Sequence, residues 1–190
     1  MGMEHNAASQ AGGIITLGGG CFWCTEAVFE QVRGVVSVES GYCNGQFDAP
    51  TYEQVCTGRT GHVEVVQVRF DEQVIGLRDV LSIFMATHDP TTLNRQGHDV
   101  GPQYRSGIYL HDPAQESVAR DVVAQIGQLL GVPVVTEVVP LQGYSRAEDY
   151  HQHYYALHPG QGYCAAVIAP KLAKFRKGFA AHLRPSGPAA

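Results

Sequence analysis

Three consecutive glycines, Gly18-Gly19-Gly20, separate the apolar run Ile14-Ile15-Thr16-Leu17 from Phe22 to Val32, where apolar residues recur at helical spacing. A short β-type run, a turn without side chains and a helix leave the chain one economical path. It must reverse sharply from strand to helix, and glycine permits that reversal. Cys21 then falls at or near the first helical turn, where unpaired N–H groups and the helix dipole favour negative charge. On this reading the Cys21 thiol is lowered and nucleophilic near neutral pH, with room beside it for a substrate. The plainer reading, a buried cysteine filling space, stands beside it.

The rest of the chain continues the alternation. Val35–Tyr42 and His62–Phe70 read as strands, and Leu77–His88 reads as a helix stopped by Asp89-Pro90. Gly107–His111 is an expected strand, and Pro113–Leu130 a helix with proline in its first turn and Gly131 beyond its end. Val134–Val139 follows as a strand, Glu148–His158 as a helix and Lys171–Leu183 as a basic amphipathic helix. Asn44–Thr51 reads as a loop, Thr51–Gly61 as an irregular excursion, and residues 89–106 as a long loop. Strands interleaved with helices indicate an α+β or α/β sandwich of one layer pair, and loops this long tend to be functional. A single domain over 13–183 is expected, with residues 1–12 disordered and 184–190 a flexible tail.

Net charge is −5 over 190 residues, which gives no footing for nucleic acid or an anionic membrane. The sequence has neither a long apolar run nor a signal-peptide pattern, so a cytoplasmic location is expected. The five cysteines, Cys21, Cys24, Cys43, Cys56 and Cys164, are odd in number and irregularly spaced, unlike a secreted disulfide framework. Cys21 and Cys24 form a C-x-x-C pair on one helical face, which admits a thioredoxin-like thiol–disulfide oxidoreductase. Structural zinc needs a second pair of matching spacing, and the other three cysteines supply none.

Glu64 shares its strand face with Val66, Val68 and Phe70. A carboxyl in such company has a raised pKa and can act as a general acid, although a strand-end glutamate reaching water is the commoner case. Tyr52, Tyr104 and Tyr163 lie in polar or Gly-rich stretches, and their phenols could hold a substrate oxygen or simply pack on the core. His98 and Asp99 divide between turn-forming and functional roles.

Five stretches in order resemble the peptide methionine sulfoxide reductases of the A type. They are Gly20-Cys21-Phe22-Trp23, Pro50-Thr51-Tyr52-Glu53, Gly61-His62-Val63-Glu64, Gly97 through Ser106, and Gly162-Tyr163-Cys164. The resemblance spans Gly18 to about Val167. It implies reduction of methionine-S-sulfoxide, free or in proteins, with Cys21 as nucleophile and Glu64 as the acid that protonates the oxygen. Tyr52 and Tyr104 would bind that oxygen, Phe22 and Trp23 would wall the methyl pocket, and Asp99 would bind the substrate's backbone nitrogen. Tyr163 joins the substrate-binding set as an expectation. A sulfenic acid on Cys21 would then condense with a second thiol to a disulfide recycled by thioredoxin, with no metal or organic cofactor. Cys164 matches the resolving cysteine of the family's C-terminal segment and is expected on a mobile loop. Cys24 matches a subset with a second cysteine in the Phe-Trp motif and remains the alternative. Cys43 and Cys56 are read as structural. The fold implied is a two-layer α/β sandwich around a mixed β-sheet, an α+β class with a ferredoxin-like core, and a monomer is expected.

Overall fold

The computed structural model describes residues 12–185. Residues 1–11 of the expected disordered segment and 186–190 of the expected flexible tail lie outside the described residues, whereas Gly12 opens β1 opposite Asp71 and Arg184 donates its N–H to the Gln31 carbonyl at 2.8 Å. In chain order the elements are β1 (Gly12–Gly18), α1 (Phe22–Phe29), β2 (Val35–Cys43), α2 (Tyr52–Cys56), β3 (Val63–Asp71) and α3 (Leu77–Thr87). Then come the two-residue strands β4 (Arg95–Gln96) and β5 (Asp99–Val100), followed by β6 (Gly107–Leu110) and α4 (Glu116–Leu130). The chain closes with β7 (Glu137–Pro140), β8 (Ser145–Arg146), α5 (Tyr154–Leu157) and α6 (Ala169–Gly178).

The main sheet runs β7-β6-β1-β3-β2-β8, antiparallel throughout except for the parallel pair β6–β7. Its centre, β6-β1-β3-β2, is threaded as β1-α1-β2-β3-α3-β6, which is the ferredoxin-like βαββαβ unit. The pattern of β3 explains the layers. Glu64, Val66, Val68 and Phe70 face the helices and are buried with Ile15, Leu17 and Ile108. Val63 and Val65 point to the other face, where they form a smaller cluster with Cys43 and Tyr109 under Val139, Leu141 and Tyr144. Each fully buried Val, Ile, Leu or Phe of the larger cluster contributes about 1.5–3 kcal/mol of hydrophobic stabilisation.

Register matters for function. Leu17 of β1 lies opposite Val66 of β3, and Tyr42 of β2 lies opposite Glu64. The end of β1 therefore delivers Cys21 to the neighbourhood of Glu64.

Four expectations need correction. Thr51–Gly61 is not wholly irregular, because Thr51 and Gln54 form a reciprocal capping box that starts α2. Glu148–His158 is not one helix. A 3₁₀ turn at Asp149–His151 and α5 flank His153, whose φ of 55° breaks the run. The break is held from outside, since the Glu26 carboxylate of α1 accepts the N–H groups of His153 (2.9 Å) and Tyr154 (3.2 Å). The strand expected at Val134–Val139 starts only at Glu137, because Val135 turns its N–H to the Pro90 carbonyl. The last helix starts at Ala169 behind a π-helical turn, Cys164–Ile168, and gives way at Phe179 to a 3₁₀ turn, Ala180–His182.

Candidate active site

The site grows from the turn between β1 and α1. Gly20 has φ +92°, and a Cβ there would lie 2.6 Å from the Gln96 Cγ, so both conformation and space demand glycine. Gln96 is itself buried and clamps its loop, accepting the Asp89 N–H at 3.0 Å and donating to the Asp89 carbonyl. The reversal sets Cys21 at the N-cap of α1, half-buried, with Cys24 one turn on and 3% exposed.

Glu64 is 1% exposed, and its Oε2 accepts the Phe22 N–H at 3.1 Å. Burial raises its carboxyl to about 8, against the opposing pull of the Phe22 N–H, and Asp99 and Cys24 add to the rise. Glu64 therefore holds its proton at neutral pH. Burial overturns the expectation of a lowered Cys21 thiol, and the helix end does not offset it. A first-turn N–H of α1 is given to Glu64 rather than to sulfur. Burial, a hydrogen bond with Cys24 and the Glu64 charge raise Cys21 well above the ordinary thiol value, with only the Trp23 N–H working against them. Cys24 moves the other way, to about 7, chiefly because Cys21 hydrogen bonds to it. Of the two sulfurs, Cys21 is the one that holds its proton and Cys24 the one more readily ionised.

The expected oxygen-binding phenols converge on the same carboxyl. Tyr52, at the start of α2, and Tyr104, at the end of the 3₁₀ turn Pro102–Tyr104, are half-buried. Burial raises both phenols, and the Glu64 charge adds to each shift, so they remain O–H donors. Glu148 fixes the start of α2, taking the Tyr52 N–H and the Tyr42 hydroxyl at 2.8 Å each. Arg105 braces the segment after Tyr104 through Glu137 (2.9 Å) and the carbonyls of Gly61 and Pro102.

Trp23 is half-buried, stacked on Tyr154 with centroids 3.7 Å apart, and met edge-on by Tyr163 at 5.9 Å. Its indole N–H donates to Nδ1 of the buried His151 at 3.1 Å. Phe22, expected beside Trp23 as a pocket wall, is 1% exposed and packs on Tyr42 and His151, so it lies beneath the surface as a floor. Tyr163 donates to Asp99 at 2.7 Å and lies 3.8 Å from the Cys24 sulfur. Asp99 is brought to the site by the β4–β5 ribbon, and His98 is exposed beside it.

All five cysteines are free thiols. Cys164 is not on an open loop. It begins the π-helical turn, fully buried among α1 and α6 residues, with Gly160 and Gly162 just upstream. Burial and the nearby Cys24 raise its thiol. Cys43 is buried in the smaller cluster, in keeping with a structural part. Cys56 is exposed at the end of α2, so it stands at the surface rather than in a core. Among the described residues, one group of metal-ligand type gathers within 4.8 Å, Glu26, Glu30 and His153, and it includes no cysteine. The two Glu26 oxygens are already occupied by the backbone N–H groups that shape α5.

The sequence points to none of Gln96, Glu148 and Tyr154, and to His151 only as a possible zinc ligand beside His153, whereas the structure turns its Nδ1 to the Trp23 indole. Each reaches the site through contacts 76 to 131 residues away, or as in Gln96 through packing on a glycine, and no local pattern announces such contacts.

A thiol pair, a protonated carboxyl and two phenols around one aromatic wall is an arrangement for nucleophilic attack on a polar S=O group, and comparison with known proteins agrees. The family profile of peptide methionine sulfoxide reductase matches residues 13–183. The chain belongs to that family. It is 55% identical over 174 residues to a peptide methionine sulfoxide reductase MsrA of Ralstonia nicotianae, covering 88% of this chain and 91% of the relative. The structure is similar to methionine sulfoxide reductase A of Corynebacterium diphtheriae, with a TM-score of 0.77 and 36% identity over 84% of this chain and 80% of the other. It also aligns with Mxr1 from Saccharomyces cerevisiae in complex with Trx2, with a TM-score of 0.53 and 25% identity over 75% and 84% of the two chains. Family membership disfavours the thioredoxin-like alternative, as does the ferredoxin-like threading of the sheet.

Proposed function

We propose that this member of the family reduces methionine-S-sulfoxide, free or in proteins, to methionine. One observation carries the assignment of roles: the buried, protonated Glu64 is bonded to the first N–H of the helix that Cys21 caps. A sulfoxide oxygen is a poor leaving group until it gains a proton, so donor and nucleophile must meet across one small space. In this reading Tyr52 and Tyr104 donate to the oxygen and Glu64 protonates it as the Cys21 sulfur attacks. The Cys21 proton passes to Cys24. Trp23 shields the methyl group over the floor made by Phe22, while Asp99, held by Tyr163, takes the substrate's backbone N–H.

The oxygen leaves with Cys21 as a sulfenic acid, and methionine departs. A second thiol attacks that sulfur, expelling water and forming a disulfide. A dithiol of thioredoxin then restores both cysteines, so the net exchange converts sulfoxide and dithiol to thioether, disulfide and water. The relative crystallised with Trx2 supports this recycling. Cys164 is the assigned resolver. Its π-turn must loosen to bring the sulfur to Cys21, and π-turns are a weak form of helix often found at functional sites. Cys24, one helical turn from Cys21 and coupled to it, supports direct closure as the second route. A cytoplasmic monomer completes the reading; among the described residues no helix is long and apolar enough to cross a membrane.

The test is single turnover with separated S and R epimers and no added reductant, comparing wild type with Cys24→Ser and Cys164→Ser. Turnover of the S epimer alone, with two thiols lost and disulfide abolished in Cys164→Ser, is expected. Folded protein that forms methionine from neither epimer would refute the reading.

A further inference from the structure

A groove of about 770 Å³ begins at Asp99 and Tyr163, where the site ends, and runs between the segment after α3 and one face of α6. Its size falls in the range of built ligand sites, roughly 300–1,000 Å³. Val167 and Phe179 on α6 and its flanks, and Leu130 and Val132 at the end of α4, give it apolar walls. Leu130 and Val132 are each 47% exposed, so this apolar surface faces solvent. Its charge is as specific as its shape. The chain has three lysines, Lys171, Lys174 and Lys177, all on α6, although the protein as a whole carries −5. Lys171 and Lys174, one turn apart, line the groove, and neither enters an ion pair among the described residues. The two carboxylates of the lining are engaged, Asp89 by Thr91 and Asp99 by the Tyr163 hydroxyl.

Building on the reductase reading, we infer that this groove binds the polypeptide flanking an oxidised methionine in a protein substrate, with preference for an acidic and apolar flank. Continuity with Asp99 places the flank where a chain leaving the methionine pocket must go. Free lysines on an otherwise acidic protein supply the complementary charge. The state of the thiols selects substrate over reductant as the occupant. The groove is formed while all cysteines are free, which is the form that meets sulfoxide, whereas thioredoxin meets the disulfide. Tyr163 and Val167 of its wall bracket Cys164, so loosening of that turn after chemistry would deform the groove and release the repaired chain.

The test measures kcat/KM for the whole enzyme with dithiothreitol as reductant. Substrates are N-acetyl-methionine-S-sulfoxide amide and two peptides in which the sulfoxide is flanked by Glu and Leu or by Lys and Leu. Wild type is expected to favour the acidic peptide by about fivefold at low salt, mainly through KM, as two partly screened ion contacts would give. Lys174→Glu, an exposed change, is expected to erase or invert that ratio and leave the amide unaltered. Turnover of the amide with no flank preference in wild type, or a preference that survives Lys174→Glu, overturns the groove assignment alone. So does a variant that keeps the peptide ratio but raises the KM for reduced thioredoxin in the recycling assay, because the groove would then serve the reductant. Failure on the amide itself would take down the reductase reading along with it.

Discussion

Burying Glu64 makes it a proton donor and makes the fold pH-sensitive, and both effects are measurable on one side chain. Its carboxyl titrates at about 8 in the folded chain against an ordinary 4.5. The folded state therefore holds a proton that the unfolded chain has released. That stabilising contribution is present in full below about pH 4.5 and is lost as pH rises through about 8. Glu64→Gln keeps an acceptor for the Phe22 N–H and carries no charge. It should be more stable than wild type at pH 8, by on the order of a few kcal/mol in urea unfolding, and nearly equal at pH 4. The same variant should lose at least about 10²-fold in sulfoxide reduction while Cys21 remains open to alkylation. Wild-type turnover should fall as pH rises past 8, with that limb missing from the residual activity of Glu64→Gln. The residue types at the site were readable because the chemistry needs them. The raised Cys21 thiol was not, because its burial, and the Glu64 carboxyl brought beside it by a strand 42 residues on from Phe22, are set by the tertiary fold.

At the scale of elements, the turn before Cys21 is the sharpest constraint. Gly20→Ala would press a methyl group into Gln96 at a φ of +92°. A cost of about 1–3 kcal/mol is expected in thermal or urea unfolding, together with a fall in kcat larger than in KM as Cys21 shifts. The π-turn at Cys164 gives a second expectation. Hydrogen exchange over residues 164–168 should speed up in the oxidised enzyme and remain slow in oxidised Cys164→Ser. Periodicity exposes α3 and α4 because each buries one face along its own length, while β1, α1 and β3 are legible as short apolar runs buried on more than one side. It fails at Glu148–His158 because the decisive partner, Glu26, sits on another helix, and it blurs the last helix because residues 164–168 follow a wider turn with the same composition. The capping boxes Thr51–Gln54 and Asp112–Gln115 were missed signals that are written locally.

For the whole molecule, recycling predicts that catalytic amounts of thioredoxin with its own reductase sustain turnover in wild type and stall in Cys164→Ser, with one equivalent of methionine formed. Sedimentation should give a single species of 20.5 kDa. The working parts come from residues near 21, 52, 64, 99 and 163, held together by a sheet whose order interleaves early and late strands. This distribution has a consequence at the ribosome. Cys21 emerges long before Cys164, 143 residues behind it, a delay of roughly 7–30 s at ordinary rates of synthesis. At first the nascent chain carries that thiol without the Glu64 acid, and throughout the interval it lacks the assigned resolver Cys164 and the Tyr154 and Tyr163 rings that pack on Trp23. A cell making this protein under oxidant attack must guard the unfinished chain against the very damage the finished one repairs.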